Sequence, residues 1–440
     1  METGVLFGIW SLYGMSALRY GCYGFLAIAI LGGVVRLALV ARSAAAIRRH
    51  ARSLHAVDYR RFQDSGHVMP VSLILPASDA ADNLADPVED LLRLEFRQYE
   101  LIVVANSMFT DTWSGLCERF ALLPFRQPFK RTLDAGPIEA VYRSARDIRL
   151  VVLDYRGGDR AGALNAGINI ASYPVTALVY PDLRLTQDAL IRTAHAFAEH
   201  PDCVMIGTFP RVGFPAQDAR MTAFAHDHAI ERLRRMYTNR AGYDRLGFYL
   251  PLSGTFCAFL KSAVLEAGGF SAKAKAENAD LLLRIRARLR RKKRAGVARL
   301  LPDAICYEQP QKTLRGACAQ QRRGQREMRD TVRRNRHAVG VIPGAGYTRL
   351  AERIWPTLEL IGAAVALAAA LTGAVPPAVA ALCFLTGVLF WALQSAACVL
   401  LEAYASQQVV DTGRLLWRYM LALIGNLGFR VCATLARIFS

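Results

Sequence analysis

The sequence predicts an α/β domain, built on a mostly parallel twisted sheet with helices on both faces and flanked by transmembrane helices. Three observations predict it. Short β-rich runs alternate with helical stretches from Met69 to Tyr307, long apolar runs stand at both ends, and the 440 residues are 53% hydrophobic against 21% charged. Strand–helix alternation argues for parallel pairing covered on both faces. The net charge, 55 − 36 = +19, suits either nucleic acid or a membrane face. Hydropathy favours the membrane. The nine cysteines stand singly with no CxxC pair. That argues against a disulfide framework or zinc module, and for buried thiols in a reducing compartment.

Taken in order, residues 5–41 are apolar apart from Arg19 and Arg36. A bilayer core needs about 20 apolar helical residues. Residues 20–40 meet that, with Arg36 near the end and able to snorkel. Residues 5–18 are short for a second span and suit the interface. Glu2, with no basic residue at the extreme N-terminus, fits a cleaved signal peptide poorly. Arg42, Arg48, Arg49, Arg52, Arg60 and Arg61 follow, which puts the next domain in the cytoplasm by the positive-inside rule.

At the other end, residues 354–375 and 379–401 are apolar and joined by the uncharged turn Pro376-Pro377. Arg349 and Arg353 precede this pair, and Arg414 and Arg418 follow it, so it reads as a hairpin with both outer ends cytoplasmic. Residues 415–439 mix apolar positions with Arg418, Arg430 and Arg437, as in an amphipathic helix on the leaflet or a fourth span. The expected organisation is a membrane helix and basic linker (1–67), a cytoplasmic domain (68–310), a basic interfacial helix (311–350) and a membrane hairpin with a tail helix (351–440).

Within the domain the strand candidates are 71–75, 101–104, 150–153, 177–180 and 204–207. Ligands of such sheets sit beyond the carboxyl ends of the strands. Those ends carry Ala77 and Asp79, Asn106, Gly157-Gly158, and Pro181-Asp182. Residues 122–148 are long for a connection and read as an insertion.

The order of motifs resembles a membrane-bound family-2 glycosyltransferase, the group that includes synthases of cellulose and hyaluronan. The residues that carry this are Gly157-Gly158-Asp159-Arg160-Ala161-Gly162-Ala163-Leu164-Asn165 for GGKxxALNxG, Tyr180-Pro181-Asp182 for DxD, and Gly268-Gly269-Phe270 after an acceptor-side strand. Glu277-Asn278-Ala279-Asp280 follows for the ED helix, and Gln320-Gln321-Arg322-Arg323-Gly324 for QxxRW. The resemblance implies a GT-A-like fold that moves a hexose from a nucleotide-sugar donor to a lipid-linked or polysaccharide acceptor in cell-envelope glycan synthesis. It implies Glu277, Asn278 and Asp280 at the catalytic helix, and Ala77, Asp79, Asn106, Gly158, Asn165, Asp182, Gln320 and Arg323 around the nucleotide-sugar. If the chain is active it implies Mg2+ or Mn2+ with Asp182 as ligand; otherwise it implies no cofactor. It also implies contact with membrane lipids and a multi-pass place in a cell inner membrane.

Several functional positions depart from the family pattern. Asn106 and Asn278 replace acids, Ala80 stands where the acid after the first strand belongs, Asp159 replaces the Lys, Tyr180 the first Asp and Gly324 the Trp. An amide is no general base at neutral pH. The alternative is therefore a catalytically impaired relative that serves as partner or regulatory subunit of a polysaccharide synthase. Individual residues also keep two readings. Asp182 suits a metal ligand or a strand-end cap, Glu277 a catalytic acid or a first-turn residue favoured by the helix dipole, and Asn165 a nucleotide contact or a turn anchor. The run around Gln320 and Arg323 suits a lipid surface, a diphosphate, or both. The basic run 284–294 suits a solvated or lipid-facing helix, and no motif or aromatic interleaving supports nucleic acid as a partner.

Overall fold

A computed structural model describes residues 2–405 apart from 56–57, 67, 78–83, 106–109, 127–128, 214–221, 241–249, 252–253, 295, 304, 312 and 337–353, together with 413, 416–417 and 420. The chain opens with α1 (Glu2–His55) and α2 (Tyr59–Asp64). Then follow β1 (Val71–Ala77), α3 (Ala85–Leu92), β2 (Tyr99–Ala105), α4 (Thr110–Phe120), β3 (Leu122–Pro124), β4 (Ile138–Ser144) and β5 (Leu150–Tyr155). Next come α5 (Arg160–Ile170), β6 (Val175–Leu178), β7 (Leu183–Leu185), α6 (Ala189–Glu199), β8 (Cys203–Gly207), β9 (Arg211–Val212) and α7 (Ala223–Arg235). The domain closes with β10 (Cys257–Leu260), α8 (Lys261–Ala267), α9 (Glu277–Arg291), β11 (Val297–Leu300) and β12 (Cys306–Glu308). Three helices complete the described chain: α10 (Leu314–Arg334), α11 (Trp355–Leu371) and α12 (Pro377–Ala405).

The nine-stranded sheet runs β11-β8-β10-β6-β1-β2-β5-β4-β3. Its centre, β6-β1-β2-β5, is parallel. Strand β10 lies antiparallel between β6 and β8, and β3-β4 close the far edge antiparallel. Successive residues of β1 enter opposite cores: Ile74 packs with α5 on one face, Leu73 and Leu75 with α3 and α6 on the other. Burial on both faces is why these strands read as unbroken apolar runs. The 122–148 segment, expected as an insertion, supplies the edge strand β3 and its neighbour β4. Glu139 and Arg143 interrupt the apolar pattern of β4, which is only partly covered by the rest of the fold.

Among the described residues two helices are long and apolar enough to cross a membrane, Tyr13–Arg52 and Pro377–Ala405, and Thr357–Leu371 is a shorter apolar helix. Large apolar side chains stay exposed on both longer ones, including Tyr20, Leu31 and Val34 on α1 and Leu382, Phe384, Leu385 and Leu389 on α12. The three pack together through Cys22, Phe25 and Ala29 of α1, Ala366 and Ala369 of α11, and Cys383 of α12. Gly33 is required there, since a Cβ would overlap the Phe390 ring. Arg36, expected to snorkel, pairs instead with Glu359 of α11, an opposite charge within reach. Helix α1 is also one continuous element of 54 residues, roughly 80 Å at the usual rise. Its far end docks on the α/β domain: Ile47 joins the core, the Ser43 hydroxyl donates to the Tyr237 carbonyl, and His50 Nε2 lies 2.8 Å from Asp303 Oδ2.

Candidate functional site

At the carboxyl ends of the central strands, α7 and α10 roof a cavity of about 260 Å³. Its walls take Arg160 from the start of α5, Asp182 from the turn after β6, Gly254 and Thr255 before β10, Ala276 before α9, and Glu308 from β12. Helix α10 contributes Gln320, Arg323, Gly324 and Glu327, and α7 contributes His228, Arg232 and Arg235.

Local chemistry explains most of these placements. Asp159, the charge reversal in the Gly-rich loop, is the N-cap of α5: its Oδ2 accepts from the Gly162 amide at 2.8 Å. A short acid is favoured there, and the cation sits one residue on, at Arg160. Gly162 must stay small because a Cβ would overlap the Tyr155 hydroxyl. Tyr180, where a first metal carboxylate would stand, is buried and donates its hydroxyl to Glu277 Oε2 at 3.2 Å. The Arg160 guanidinium lies 5.4 Å from the Tyr180 ring centroid, within cation–π range.

The field inside the cavity follows from these neighbours. Burial raises the Asp182 carboxyl above the usual carboxylate range, against its own backbone amide and Arg160. Burial raises Glu277 likewise, against Arg160 and the Tyr180 hydroxyl. Glu308 is also raised by burial and is held at 2.6 Å by Arg232. His228 is lowered to about 3 by burial and by Arg232 and Arg235, so it is neutral at ordinary pH.

The expected site residues divide sharply. Asp182, Gln320 and Arg323 line the one cavity. Glu277 follows the lining residue Ala276 and accepts from the Tyr180 hydroxyl, but does not itself line the cavity. Gly158 is in the loop before α5, and Ala77 is the buried last residue of β1. Asn165 is buried: its Nδ2 donates to the carbonyls of Asp134 and Phe270 and its Oδ1 accepts from the Phe270 amide. That is the anchor geometry, tying the Gly-rich helix to two loops. Asn278 is fully buried, its Nδ2 3.4 Å from the Thr255 carbonyl and 3.5 Å from Cys257 Sγ. Asp280, also fully buried, accepts from Arg284 Nε and from Asn335 Nδ2, both at 2.8 Å. Neither of these lines the cavity. Asp79 and Asn106 lie outside the described residues.

The cavity also holds residues that the sequence reading did not assign to the site: Arg160, quoted only within the Gly-rich motif, Glu308, and the α7 trio His228, Arg232 and Arg235. A signal for the trio exists. Positions i, i+4 and i+7 share one helix face, so this face of α7 reads as a basic stripe.

A divalent cation of the Mg2+ or Mn2+ type takes about six oxygen ligands, with carboxylates prominent. The cavity offers Asp182, within the field of Arg160, Glu308, engaged by Arg232, and Glu327 on α10. Among the described residues no three His, Cys, Asp or Glu side chains are placed to hold one ion. This donor set does not fit such an ion.

Residues 181–410, just over half the chain, match the model described as glycosyl transferase family group 2. No curated protein matches the sequence. Among solved structures, the mannosyltransferase PcManGT from Pyrobaculum calidifontis, in complex with GDP-Man and Mn2+, is similar at 17% identity and a TM-score of 0.52, covering 92% of this chain and 99% of that one. TarS 1-349 from S. aureus, in complex with UDP-GlcNAc, is matched at 15% identity and a TM-score of 0.37, covering 78% of this chain and 93% of that one. The likeness to PcManGT establishes the GT-A-like fold.

Proposed function

The chain belongs to glycosyl transferase family group 2, and on that premise we propose that its cavity binds a nucleotide-sugar. The observation that carries this is the convergence of Arg160, Asp182, Gln320 and Arg323, drawn from three separate stretches of sequence, on one space at the strand ends. Guanidinium groups match phosphate oxygens in charge and geometry, and a crevice at this edge is where α/β sheets take ligands.

The reaction is transfer of a hexose to a lipid-linked or polysaccharide acceptor. The bond from sugar C1 to the diphosphate oxygen breaks, its electron pair leaving with the diphosphate. The acceptor oxygen bonds to C1 and its proton passes to a carboxylate. Asp182, its proton affinity raised by burial, is the acid on the wall suited to that role. Glu277, which accepts from the Tyr180 hydroxyl, stands one residue from the cavity-lining Ala276. The exposed apolar surfaces of α1 and α12 support a multi-pass place in an inner membrane with the α/β domain cytoplasmic. There the basic α10 meets lipid.

One observation favours a second reading. Asn278, at the family's base position, is an amide turned into the core, as in an impaired relative that binds nucleotide and acts beside a partner synthase subunit. Transfer and hydrolysis assays with UDP- and GDP-sugars, with Mg2+ or Mn2+ and with EDTA, separate the two. Turnover abolished by Asp182→Ala is the expected result for the enzyme. Binding without turnover supports the second reading, and absence of nucleotide binding under every condition removes both.

A further inference from the structure

We propose that Arg160, Arg232, Arg235 and Arg323 neutralise the diphosphate of a bound nucleoside diphosphate in place of a divalent cation, so that this chain holds the nucleotide without metal. The inference rests on the nucleotide-sugar reading above and adds to it how the leaving-group charge is met. Four guanidinium groups line the cavity against three carboxylates, Asp182, Glu308 and Glu327, which is 4 − 3 = +1 before any ion is added. A family site built on several acids needs the cation to become attractive to a diphosphate. This one is already positive.

The local geometry agrees. Tyr180 replaces a metal carboxylate with an apolar ring, and Arg160 lies 5.4 Å from the ring centroid. A cation already stands where the metal's first ligand is missing, and a divalent ion beside it would be repelled. Of the other two acids on the wall, Glu308 is paired with Arg232 at 2.6 Å and Glu327 stands on α10 beside Arg323 and Gly324. His228 lines the same wall as Arg232 and Arg235, and burial first, then these two arginines, lower its pKa. Unlike Lys, Arg presents a planar fork that grips phosphate oxygens in pairs.

The test is isothermal titration of UDP and of GDP into the full chain in detergent, in excess EDTA and in excess MnCl2. The expected affinity in EDTA is within about threefold of that in Mn2+. It should weaken as salt rises. Arg160→Ala and Arg323→Ala should each weaken binding in EDTA by about tenfold or more, while Arg323→Lys, which keeps the charge, loses less. Thermal melting of each variant distinguishes lost binding from lost fold. Affinity that appears only with Mn2+ overturns the inference and leaves the nucleotide reading intact. Absence of binding in both buffers overturns that reading as well.

Discussion

Two groups of arginines lie close together in this molecule and do opposite things. Around the cavity, Arg160, Arg232, Arg235 and Arg323 surround a space. Next to it, Arg211 is 5% exposed and almost completely satisfied: its Nε donates to Glu402 at 2.6 Å, and its Nη groups donate to the carbonyls of Phe209 and Pro302. The Tyr237 hydroxyl donates to the other Glu402 oxygen at 2.6 Å, and Gln394 Nε2 donates to Thr238 Oγ1 at 2.7 Å. These contacts lock α12 to the α/β domain. Phe209 belongs to both groups, as its carbonyl accepts from Arg211 while the residue lines the cavity. The Arg211 charge is closed within the fold, whereas the cavity arginines, Arg232 with its Glu308 partner among them, border a space.

The largest expected effect comes from opening the closed group. Glu402→Ala leaves the Arg211 guanidinium buried and unpaired, which costs about 3–5 kcal/mol. Denaturant unfolding in detergent should show that loss, while nucleotide affinity of the folded fraction stays unchanged. A marked fall in affinity without a fall in stability would erase the distinction between the two groups.

A smaller effect is expected from Asn278→Asp, which restores the family's acid at a site with no exposure. Burial disfavours the ionised form, so the folded carboxyl titrates above its unfolded value. The variant should approach wild-type stability at acid pH and lose about 1–3 kcal/mol as pH rises through the folded pKa. Turnover should not rise, because the side chain points into the core. A gain in turnover would place this residue in the cavity after all.

The smallest effect concerns α7, the helix that carries Arg232 and Arg235 of the cavity group. Asp227 is raised to about 6 by burial, against the pull of Arg234, and its Oδ1 has no hydrogen-bond partner among the described residues. A folded pKa above the unfolded value means stability falls as pH climbs from about 4 to about 6. Asp227→Asn should remove that slope and add about 1–2 kcal/mol near neutral pH, discounted for the partial exposure of this residue. Thermal melts across pH of both proteins measure it.

The sheet was readable because its central strands are covered on both faces and therefore spell apolar runs. Strands β3 and β4 were not, since this end of the sheet is only partly covered and keeps residues such as Glu139 and Arg143. Asp182, Gln320 and Arg323 could be found from their motifs. Arg232 and Arg235 could not, because a basic stripe on a helix is written the same way whether it faces solvent, lipid or a cavity. For Asn278 and Asp280 the motif identified the helix and left open which way each side chain turns.

Local sequence alone determined the central strands and the long apolar helices: periodicity, capping residues such as Asp159, and apolar runs long enough for a bilayer are properties of neighbouring residues. Tertiary structure alone decided which charges meet. Pairing of Arg211 with Glu402 joins positions 191 residues apart, and the cavity assembles side chains from α5, α7, α10 and the strand ends. Such contacts depend on how helices dock on the sheet, and no short stretch of sequence encodes that.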